Sequence, residues 1–161
     1  MKLHIENLNI TYQLLPVGPL STLTIAKAST NKAKGSIPAI GEKWPGLEAV
    51  YAGTALSQTE DCLVHLILWV EDAMECMKYD KAVKWAENVN PELSSHIPTR
   101  HQSITLFERL RDHHDTDYWH WTLTKTMDGK AAFGQHFYCG DQNLSYLSSD
   151  GRVRAVSEIP L

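Results

Sequence analysis

The chain has 161 residues, of which 43% are hydrophobic and 21% are charged, and its formal net charge is -4. These values are ordinary for a globular protein with one buried core, so we predict a single domain over residues 1–161. The acidic balance argues against direct nucleic-acid binding, which needs a basic face. The N-terminus lacks the apolar segment of a signal peptide, and no apolar run reaches the roughly 20 residues of a membrane helix. We therefore expect a soluble cytoplasmic protein without membrane contact.

The N-terminal part of the chain, residues 1–43, predicts strands followed by a loop. Alternating apolar residues indicate short strands over residues 3–14 and 20–28, with Pro and Gly between them. Residues 29–46 contain Gly, Pro, Ser and Asn without a sustained period, which is typical of a loop. The sequence contains no internal repeat, and no long linker separates residues 1–43 from the rest of the chain.

Two strands are predicted next, and the second is the most apolar segment of the chain. Residues 47–53 indicate a short strand, and residues 62–70 (CLVHLILWV) indicate a longer one. Because the apolar run of the longer strand is nearly continuous, we expect both of its faces to be covered. His65 interrupts this run, and we interpret it as a hydrogen-bonded core residue rather than a ligand.

Two helices are predicted in the middle of the chain. We expect Asp80 to cap the first helix, which ends within residues 88–91. Its apolar residues at helical spacing are Ala82, Val83, Trp85 and Ala86. The second helix begins at Thr99, which forms a T-x-x-Q capping box with Gln102. Its apolar stripe consists of Ile104, Leu106, Phe107 and Leu110.

The remainder of the chain predicts β-strands. Residues 118–124 alternate in polarity, and residues 131–138 form a second strand after a hairpin turn at 127–130. Residues 143–147 and 152–156 indicate two more strands, joined by the turn SSDG. The order of strands, two helices and strands indicates an α+β domain with antiparallel sheets rather than a repeated βαβ arrangement.

Several short motifs occur in a fixed order over residues 44–156. They are WPG at 44–46, VYAG at 50–53, KWAE at 84–87, IPTRHQ at 97–102, YWHWT at 118–122, FGQHFYCGDQ at 133–142 and RVRAV at 152–156. In order and spacing they resemble the Lcl C-terminal-like domain family, a family of C-type-lectin-like domains in bacterial and phage proteins. The resemblance implies a C-type-lectin-like α+β fold with two central helices. The chain departs from the family pattern at residues 95–97, where the family has Trp-Arg-Leu, and at Gln102, where it has Glu.

The matched motifs carry residues whose chemistry favours structural roles. The capping pair satisfies backbone donors at a helix start, and the arginine beside it can pair with a carbonyl or a carboxylate. Two aromatic residues are expected to anchor adjacent strands in the core, while Gly53 and Gly140 are expected at turns or close approaches. The residues given structural roles are Thr99, Arg100, Gln102, Trp119 and Phe137.

Residues 112–121 (DHHDTDYWHW) concentrate histidines, acids and aromatics. Imidazole and carboxylate groups bind zinc and similar ions, so the segment offers candidate metal ligands. These candidates are His113, His114, Asp117 and His120. Their spacing matches no zinc-enzyme motif, and adjacent histidines suit a solvated helix end. We therefore expect a loop that leads into a core strand, and we predict neither a metal nor a cofactor.

The three cysteines are Cys62, Cys76 and Cys139, widely spaced and without a CxxC pair. An odd number argues against a disulfide framework and fits a reducing compartment. Cys62 and Cys139 lie within apolar runs, where we expect small buried side chains.

The sequence contains no P-loop, no GxGxxG and no GxSxG motif, and we predict a non-enzymatic binding protein. Exposed Tyr and Trp residues are natural anchors at an interface, so the partner surface is expected among the aromatic and polar residues outside the core. These residues are His120, Trp121, His136, Tyr138, Asp141, Gln142, Asn143 and Tyr146.

The resemblance implies a phage or prophage origin. Together with the absence of an export signal, it favours a host protein or protein complex in the bacterial cytosol as the partner. A defence system such as CRISPR is a specific candidate target, which the protein would inhibit. Two alternatives remain open: a virion or surface component that binds a receptor or glycan, and a metal-dependent hydrolase built on the histidine cluster.

Overall fold

The computed structural model of the chain describes residues 2–5, 10–13 and 36–161. The chain divides into two compact units, residues 1–34 and 35–161. In the first unit, β1 (Lys2–Ile5) and β2 (Ile10–Gln13) pair antiparallel.

The prediction of one strand over residues 3–14 is therefore wrong. Ile5 lies opposite Ile10, and the four residues between them include two asparagines, which favour turns over strands. The strand predicted over residues 20–28 lies outside the described residues. Residues 36–46 of the predicted loop contain no helix and no strand longer than a single bridge, which confirms that part of the prediction.

The second unit contains a three-stranded antiparallel sheet. It consists of β3 (Ala49–Leu56), β4 (Leu63–Asp72) and β10 (Arg154–Pro160) in the order β10-β4-β3. In β4 every residue from position 64 to 69 is buried, which confirms that both faces of this strand are covered. His65 donates to or accepts from the Tyr51 hydroxyl at 2.8 Å, which confirms its interpretation as a hydrogen-bonded core residue.

Two helices, α1 (Tyr79–Val89) and α2 (Arg100–Leu110), cover the two faces of this sheet. The cluster on one face includes Ala49, Tyr51, Ile67 and Trp69 from the sheet, and Ala82 and Ala86 from α1. The cluster on the other face includes Val50, Leu66, Leu68 and Val156 from the sheet, and Leu106 and Leu110 from α2. Burial of apolar area on both faces explains why β4 is apolar at successive positions.

A second antiparallel sheet follows the helices in the chain. It consists of β6 (Trp119–Lys125), β7 (Ala131–His136) and β8 (Gln142–Tyr146) in the order β6-β7-β8. The turn predicted at residues 127–130 joins β6 to β7, as expected.

Two very short strands, β5 (Met77–Lys78) and β9 (Asp150–Gly151), pair with each other. Half of the predicted SSDG turn is therefore a strand. The strand predicted over residues 152–156 begins at Arg154 and extends to Pro160.

Helix α1 begins earlier than predicted, so the prediction that Asp80 caps it is wrong. Lys78 occupies the cap position, without a side-chain hydrogen bond, and Asp80 lies in the first turn. Tyr79 determines this start, because its side chain is buried and its hydroxyl donates to the Leu123 carbonyl at 2.9 Å. The helix ends at Val89 with Asn90 as its C-cap, within the predicted range, and the 3-10 helix Pro91–Leu93 follows.

Helix α2 begins as predicted. The Gln102 backbone N–H donates to the Thr99 hydroxyl at 3.2 Å, and the Thr99 N–H donates to the Gln102 side-chain carbonyl at 3.0 Å. The predicted apolar stripe is wrong at Ile104, which is exposed. Gln102 and Ser103 occupy the buried face instead, because the capping box turns the first helical residues inward together with Leu106.

Gly53 and Gly140 both have positive φ and both lie against a side chain. A Cβ on Gly53 would lie 2.1 Å from Arg109 Nη1, and a Cβ on Gly140 would lie 2.7 Å from the Phe107 ring. The expectation of close approaches at these two positions is confirmed.

The second unit is thus an α+β domain with antiparallel sheets and two helices, as the order of predicted elements indicated. None of the helices in the described part of the chain combines the length and the apolar character that crossing a bilayer requires.

Candidate functional site

The histidine-rich segment at residues 112–121 leads from α2 into β6. It begins within the 3-10 helix Arg111–His113 and ends inside the second sheet. His113 and Asp117 are exposed, whereas His114 and His120 are buried. The expectation of a loop that leads into a core strand is confirmed. Two of the four candidate metal ligands, His114 and His120, belong to the core.

The two buried histidines pack around Phe137. The His114 ring stacks on the Phe137 ring with centroids 3.7 Å apart, and the His120 ring meets Phe137 edge-on at 4.9 Å. His114 Nδ1 contacts the Leu110 carbonyl at 2.9 Å, and His120 Nε2 contacts the Asp115 carbonyl at 2.8 Å. Because a carbonyl only accepts, both of these ring nitrogens carry a hydrogen.

Burial keeps both rings uncharged. Burial lowers the pKa of His120 to about 4, with the nearby Arg154 guanidinium acting in the same direction. Burial, and then the neighbouring His120, place the pKa of His114 well below its ordinary value. Both imidazoles are therefore neutral at pH 7 and act as polar members of the core.

The candidate metal ligands of this segment are not brought together. Within residues 36–161 and the two N-terminal strands, no three His, Cys, Asp or Glu side chains are grouped so that they could hold one ion. His114 and His120 direct their protonated nitrogens at carbonyls, and the rings lie 5.5 Å apart. Asp117 and His113 lie outside this pair, on the surface.

The prediction that Cys62 and Cys139 are buried is wrong, since all three cysteines are exposed. Cys62 lies just before β4 begins, and Cys139 lies in the tight turn that follows β7. The apolar run around each cysteine extends past the end of the strand. The apolar pattern therefore did not indicate that these two positions are exposed. Cys139 Sγ lies 3.6 Å from His136 Nδ1.

Two of the predicted partner-binding residues, His120 and Trp121, are not on the surface. Each is only 3% exposed. Trp121 Nε1 donates to the Met77 carbonyl at 2.8 Å, and the indole packs edge-on against Tyr79. The prediction is wrong because both faces of β6 are covered. The alternation of apolar and polar residues along this strand therefore does not distinguish buried from exposed side chains. Trp119, expected in the core, is only half-buried, while Phe137 is buried as expected.

The other six predicted partner-binding residues remain accessible in whole or part. Tyr138 and Tyr146 are 67% and 73% exposed, Asp141 and Asn143 are exposed, and His136 and Gln142 are half-buried. The Gln142 side chain is already engaged. It accepts from Arg100 Nε at 2.5 Å and donates to Gln135 Oε1 at 2.8 Å. Arg100 thus pairs with a carbonyl, as its structural role predicted.

Strands β7 and β8 share an apolar surface that we call the strand-edge face, which consists of Phe133 on β7 and Leu144 and Tyr146 on β8. Phe133 lies directly opposite Leu144 across the strand pair, and Ala131 lies opposite Tyr146. The Arg100 guanidinium covers the Phe133 ring at 4.2 Å. Leu144 is 47% exposed, so the apolar part of this face continues to the outermost strand.

Among the described residues, no strand pairs with the outer side of β8. The His136 N–H donates to the Asp141 carbonyl, so these two residues form a hydrogen-bonded pair between β7 and β8. In an antiparallel pair, hydrogen-bonded and non-hydrogen-bonded pairs alternate, so the N–H and C=O groups of Leu144 and Tyr146 point away from β7. The Leu144 N–H is satisfied locally by Asn143 Oδ1 at 2.8 Å. A side chain that occupies an edge donor is one way to limit uncontrolled strand pairing.

A polar cavity of about 290 Å³ was not anticipated from the sequence. It is lined by Gln58, Glu92, Leu93, Ser94, His96 and Glu158. These residues come from three distant parts of the chain, and no local motif connects them. His96 occupies one of the positions where the chain departs from the family pattern, which was the only sequence signal near the site.

Comparison of the chain with protein-family models gives no match, and comparison with curated proteins gives none either. Function is therefore inferred from the exposed strand, the buried histidines and the cavity.

Proposed function

We propose that this protein is a non-enzymatic binding protein that contacts a protein partner through the strand-edge face. The observation that carries the proposal is the exposure of Leu144 and Tyr146 on the outermost strand of the second sheet. Tyrosine provides large contact area at a small cost in side-chain entropy, and it is enriched among the residues that dominate binding free energy.

The surroundings of the face fit an interface. Arg100 provides a fixed cation between the Phe133 ring and the Gln142 amide, and arginine is enriched at protein interfaces. The outward-facing Leu144 carbonyl and Tyr146 N–H can pair with an added strand from a partner, whereas the Tyr146 carbonyl already accepts from the Ser149 N–H at 2.8 Å. Because the Leu144 N–H is already satisfied by Asn143, side-chain contacts rather than strand addition supply most of the binding free energy in this proposal.

We also propose that the domain has a C-type-lectin-like fold of the Lcl C-terminal-like type. The last strand, β10, returns to the sheet formed by β3 and β4, with two helices and the second sheet inserted between them in the chain. This arrangement supports the proposal, as do the confirmed capping box and the close approaches at Gly53 and Gly140. The fold supplies a rigid support for a binding surface and does not itself define the partner.

The resemblance extends the proposal to a phage-encoded protein whose partner is a host protein complex in the bacterial cytosol. Inhibition of a defence system such as CRISPR is the specific case to test. A virion component that binds a receptor or glycan would use the same exposed tyrosines, and partner purification combined with a glycan array separates the two alternatives.

The test is affinity purification of partners from a bacterial lysate with the tagged full chain, at low and moderate salt, followed by mass spectrometry. The informative variants are Tyr146→Ala and Leu144→Ser. Met127→Ser is the matched control, because Met127 is fully exposed in the turn between β6 and β7, outside the strand-edge face.

We expect one stoichiometric protein complex with the wild-type chain and with Met127→Ser, and its loss with Tyr146→Ala. Loss of a central interface residue costs about 2 kcal/mol or more, which is roughly 30-fold in affinity. Equal recovery of the partner by Tyr146→Ala and by wild type would assign the interface to another surface. Enrichment of no protein, together with retention on a glycan array, would favour the receptor-binding alternative.

A further inference from the structure

The cavity lined by residues 58, 92–94, 96 and 158 is acidic. Two of its six lining residues are glutamates, and none is Lys or Arg. A concave site with carboxylates and no cationic lining residue favours positively charged ligands. None of the lining residues belongs to the strand-edge face, so this site is independent of the proposed function.

His96 presents one ring nitrogen without a partner to this cavity. Its side chain is 9% exposed, and its Nδ1 contacts the Ile97 carbonyl at 2.8 Å, so Nδ1 carries the hydrogen. Its backbone is fixed by hydrogen bonds to Val156 in both directions, each 2.9 Å long. His96 Nε2 is buried and has no hydrogen-bond partner within the described residues. A buried polar atom left in this state costs free energy unless another group satisfies it.

The group nearest to this nitrogen is the Glu158 carboxylate. The Nε2–Oε1 distance is 3.6 Å, which is beyond hydrogen-bond range. Glu158 Oε1 already accepts from Gln102 Nε2 at 2.7 Å and from the Gln58 backbone N–H. Burial raises the pKa of the Glu158 carboxyl, but the hydrogen bonds that the carboxylate accepts outweigh it, so its pKa lies below the ordinary value. The carboxylate is therefore charged at neutral pH and held in a fixed position.

We propose that the cavity binds a ligand through a cationic N–H group, a guanidinium or an ammonium, that donates to both His96 Nε2 and the Glu158 carboxylate. With its hydrogen on Nδ1, the uncharged form of the His96 ring can only accept at Nε2, as the carboxylate does, so a donor placed between the two groups satisfies both. A guanidinium has five N–H donors in one plane and can reach two acceptors at once. The exposed Glu92 at the rim adds a second negative charge.

A metal ion fits the cavity less well than an N–H donor. His96, Glu158 and Glu92 all line the cavity, but no three His, Cys, Asp or Glu side chains of the described residues are grouped so that they could hold one ion. Glu158 Oε1 already accepts from two donors, so the carboxylate would coordinate a metal through Oε2 alone.

The test is an NMR titration of the full chain at neutral pH, observed at the Hε1–Cε1 group of the His96 ring. The probe is agmatine, which carries a guanidinium at one end and an ammonium at the other, and 1,4-butanediol is the uncharged control. We expect agmatine to shift the His96 resonance saturably and 1,4-butanediol to leave it unchanged. In Glu158→Gln, agmatine affinity falls by about tenfold or more, because a hydrogen bond to a charged acceptor is lost.

Glu92→Gln is a second variant that leaves the fixed groups of the cavity intact. Because Glu92 is exposed, its loss weakens agmatine binding by only about two- to threefold. Glu75→Gln is the matched control, exposed and outside the cavity, and leaves the affinity unchanged. Three results would overturn the proposal: no His96 shift with agmatine, an equal shift with 1,4-butanediol, or the wild-type affinity in both Glu158→Gln and Glu92→Gln.

Discussion

The ring of His114 lies flat against the ring of Phe137, with centroids 3.7 Å apart and only 5° between the ring planes. His120 approaches the same phenylalanine from the side, so that two imidazoles and one phenyl ring form a single buried cluster. Stacking of this kind suits a neutral imidazole in an apolar environment, and it makes the stability of the domain depend on the protonation of two histidines.

Stability should decrease when the pH falls below about 6.5. The pKa of His120 is about 4 in the folded state and 6.5 in an ordinary exposed histidine. Between these values the unfolded chain binds a proton that the folded chain excludes, so acidification favours unfolding. The free energy of unfolding falls by roughly 3 kcal/mol over this window for His120 alone, and His114 acts in the same direction.

Urea unfolding measured at several pH values between neutral and mildly acidic checks this expectation. His120→Gln retains an N–H donor for the Asp115 carbonyl but does not titrate, so its stability should depend less steeply on pH. His113→Gln is the control, because His113 is exposed and should leave the slope unchanged. Parallel pH profiles for wild type and His120→Gln would contradict the prediction.

Gly140→Ala should destabilise the domain more than Gly129→Ala. Both glycines have positive φ, so an alanine costs about 1 kcal/mol at either position for backbone reasons. A Cβ at position 129 meets nothing within 4 Å, whereas at position 140 it lies 2.7 Å from the Phe107 ring. Moving that ring adds about 1–3 kcal/mol. Thermal and denaturant unfolding of the two variants measure the difference, and equal destabilisation would mean that Phe107 moves aside freely.

Trp121→Phe should cost about 2–4 kcal/mol of folding stability. The indole N–H donates to the Met77 carbonyl at 2.8 Å, and the phenylalanine removes this buried hydrogen bond. The smaller ring also leaves a cavity beside Tyr79 and Gly151. Trp85→Phe, at a half-buried position on α1, is the comparison variant and should cost less. A small effect at both positions would show that Trp121 is less tightly packed than its 3% exposure indicates.

Local sequence signals predicted local structure well. The capping box of Thr99 and Gln102 involves four consecutive residues, and the hairpin turn at residues 127–130 involves a glycine with positive φ. Each depends on backbone conformation and hydrogen bonds within a short segment, so the sequence alone determines it. The apolar run of β4 was similarly informative, because burial of both faces leaves a continuous pattern.

Long-range contacts explain the errors at His120 and at the cavity. Alternation along residues 118–124 suggested an exposed His120, but α2 and Phe137 cover one face of β6 while Tyr79 and Met77 cover the other. The cavity around His96 and Glu158 joins residues 62 positions apart, and nothing in either neighbourhood indicates the other. Burial at a given strand position depends on which elements pack on each face, and that information is not contained in the period of one strand.

Gly53 and Arg109 should show strong coupling in a double-mutant cycle. Arg109 Nη1 donates to the carbonyls of Ala52 and Thr54, each at 3.1 Å, and it reaches both because Gly53 between them has no side chain. Gly53→Ala places a Cβ 2.1 Å from Nη1 and displaces the guanidinium, so it removes the same two hydrogen bonds as Arg109→Met. Each single variant should cost about 1–3 kcal/mol.

The double variant Gly53→Ala/Arg109→Met should cost less than the sum of the two single variants, by about 1 kcal/mol, because the clash and the lost bonds are counted twice in that sum. The free energies of unfolding of all four proteins measure this coupling. A control cycle that combines Gly129→Ala with Arg109→Met should be additive, since nothing lies within 4 Å of a Cβ at Gly129. Additivity in the Gly53 cycle as well would mean that the two hydrogen bonds of the Arg109 guanidinium form even with a side chain at position 53. Glycine would then be required there only for its φ of +93° in the bulged part of β3.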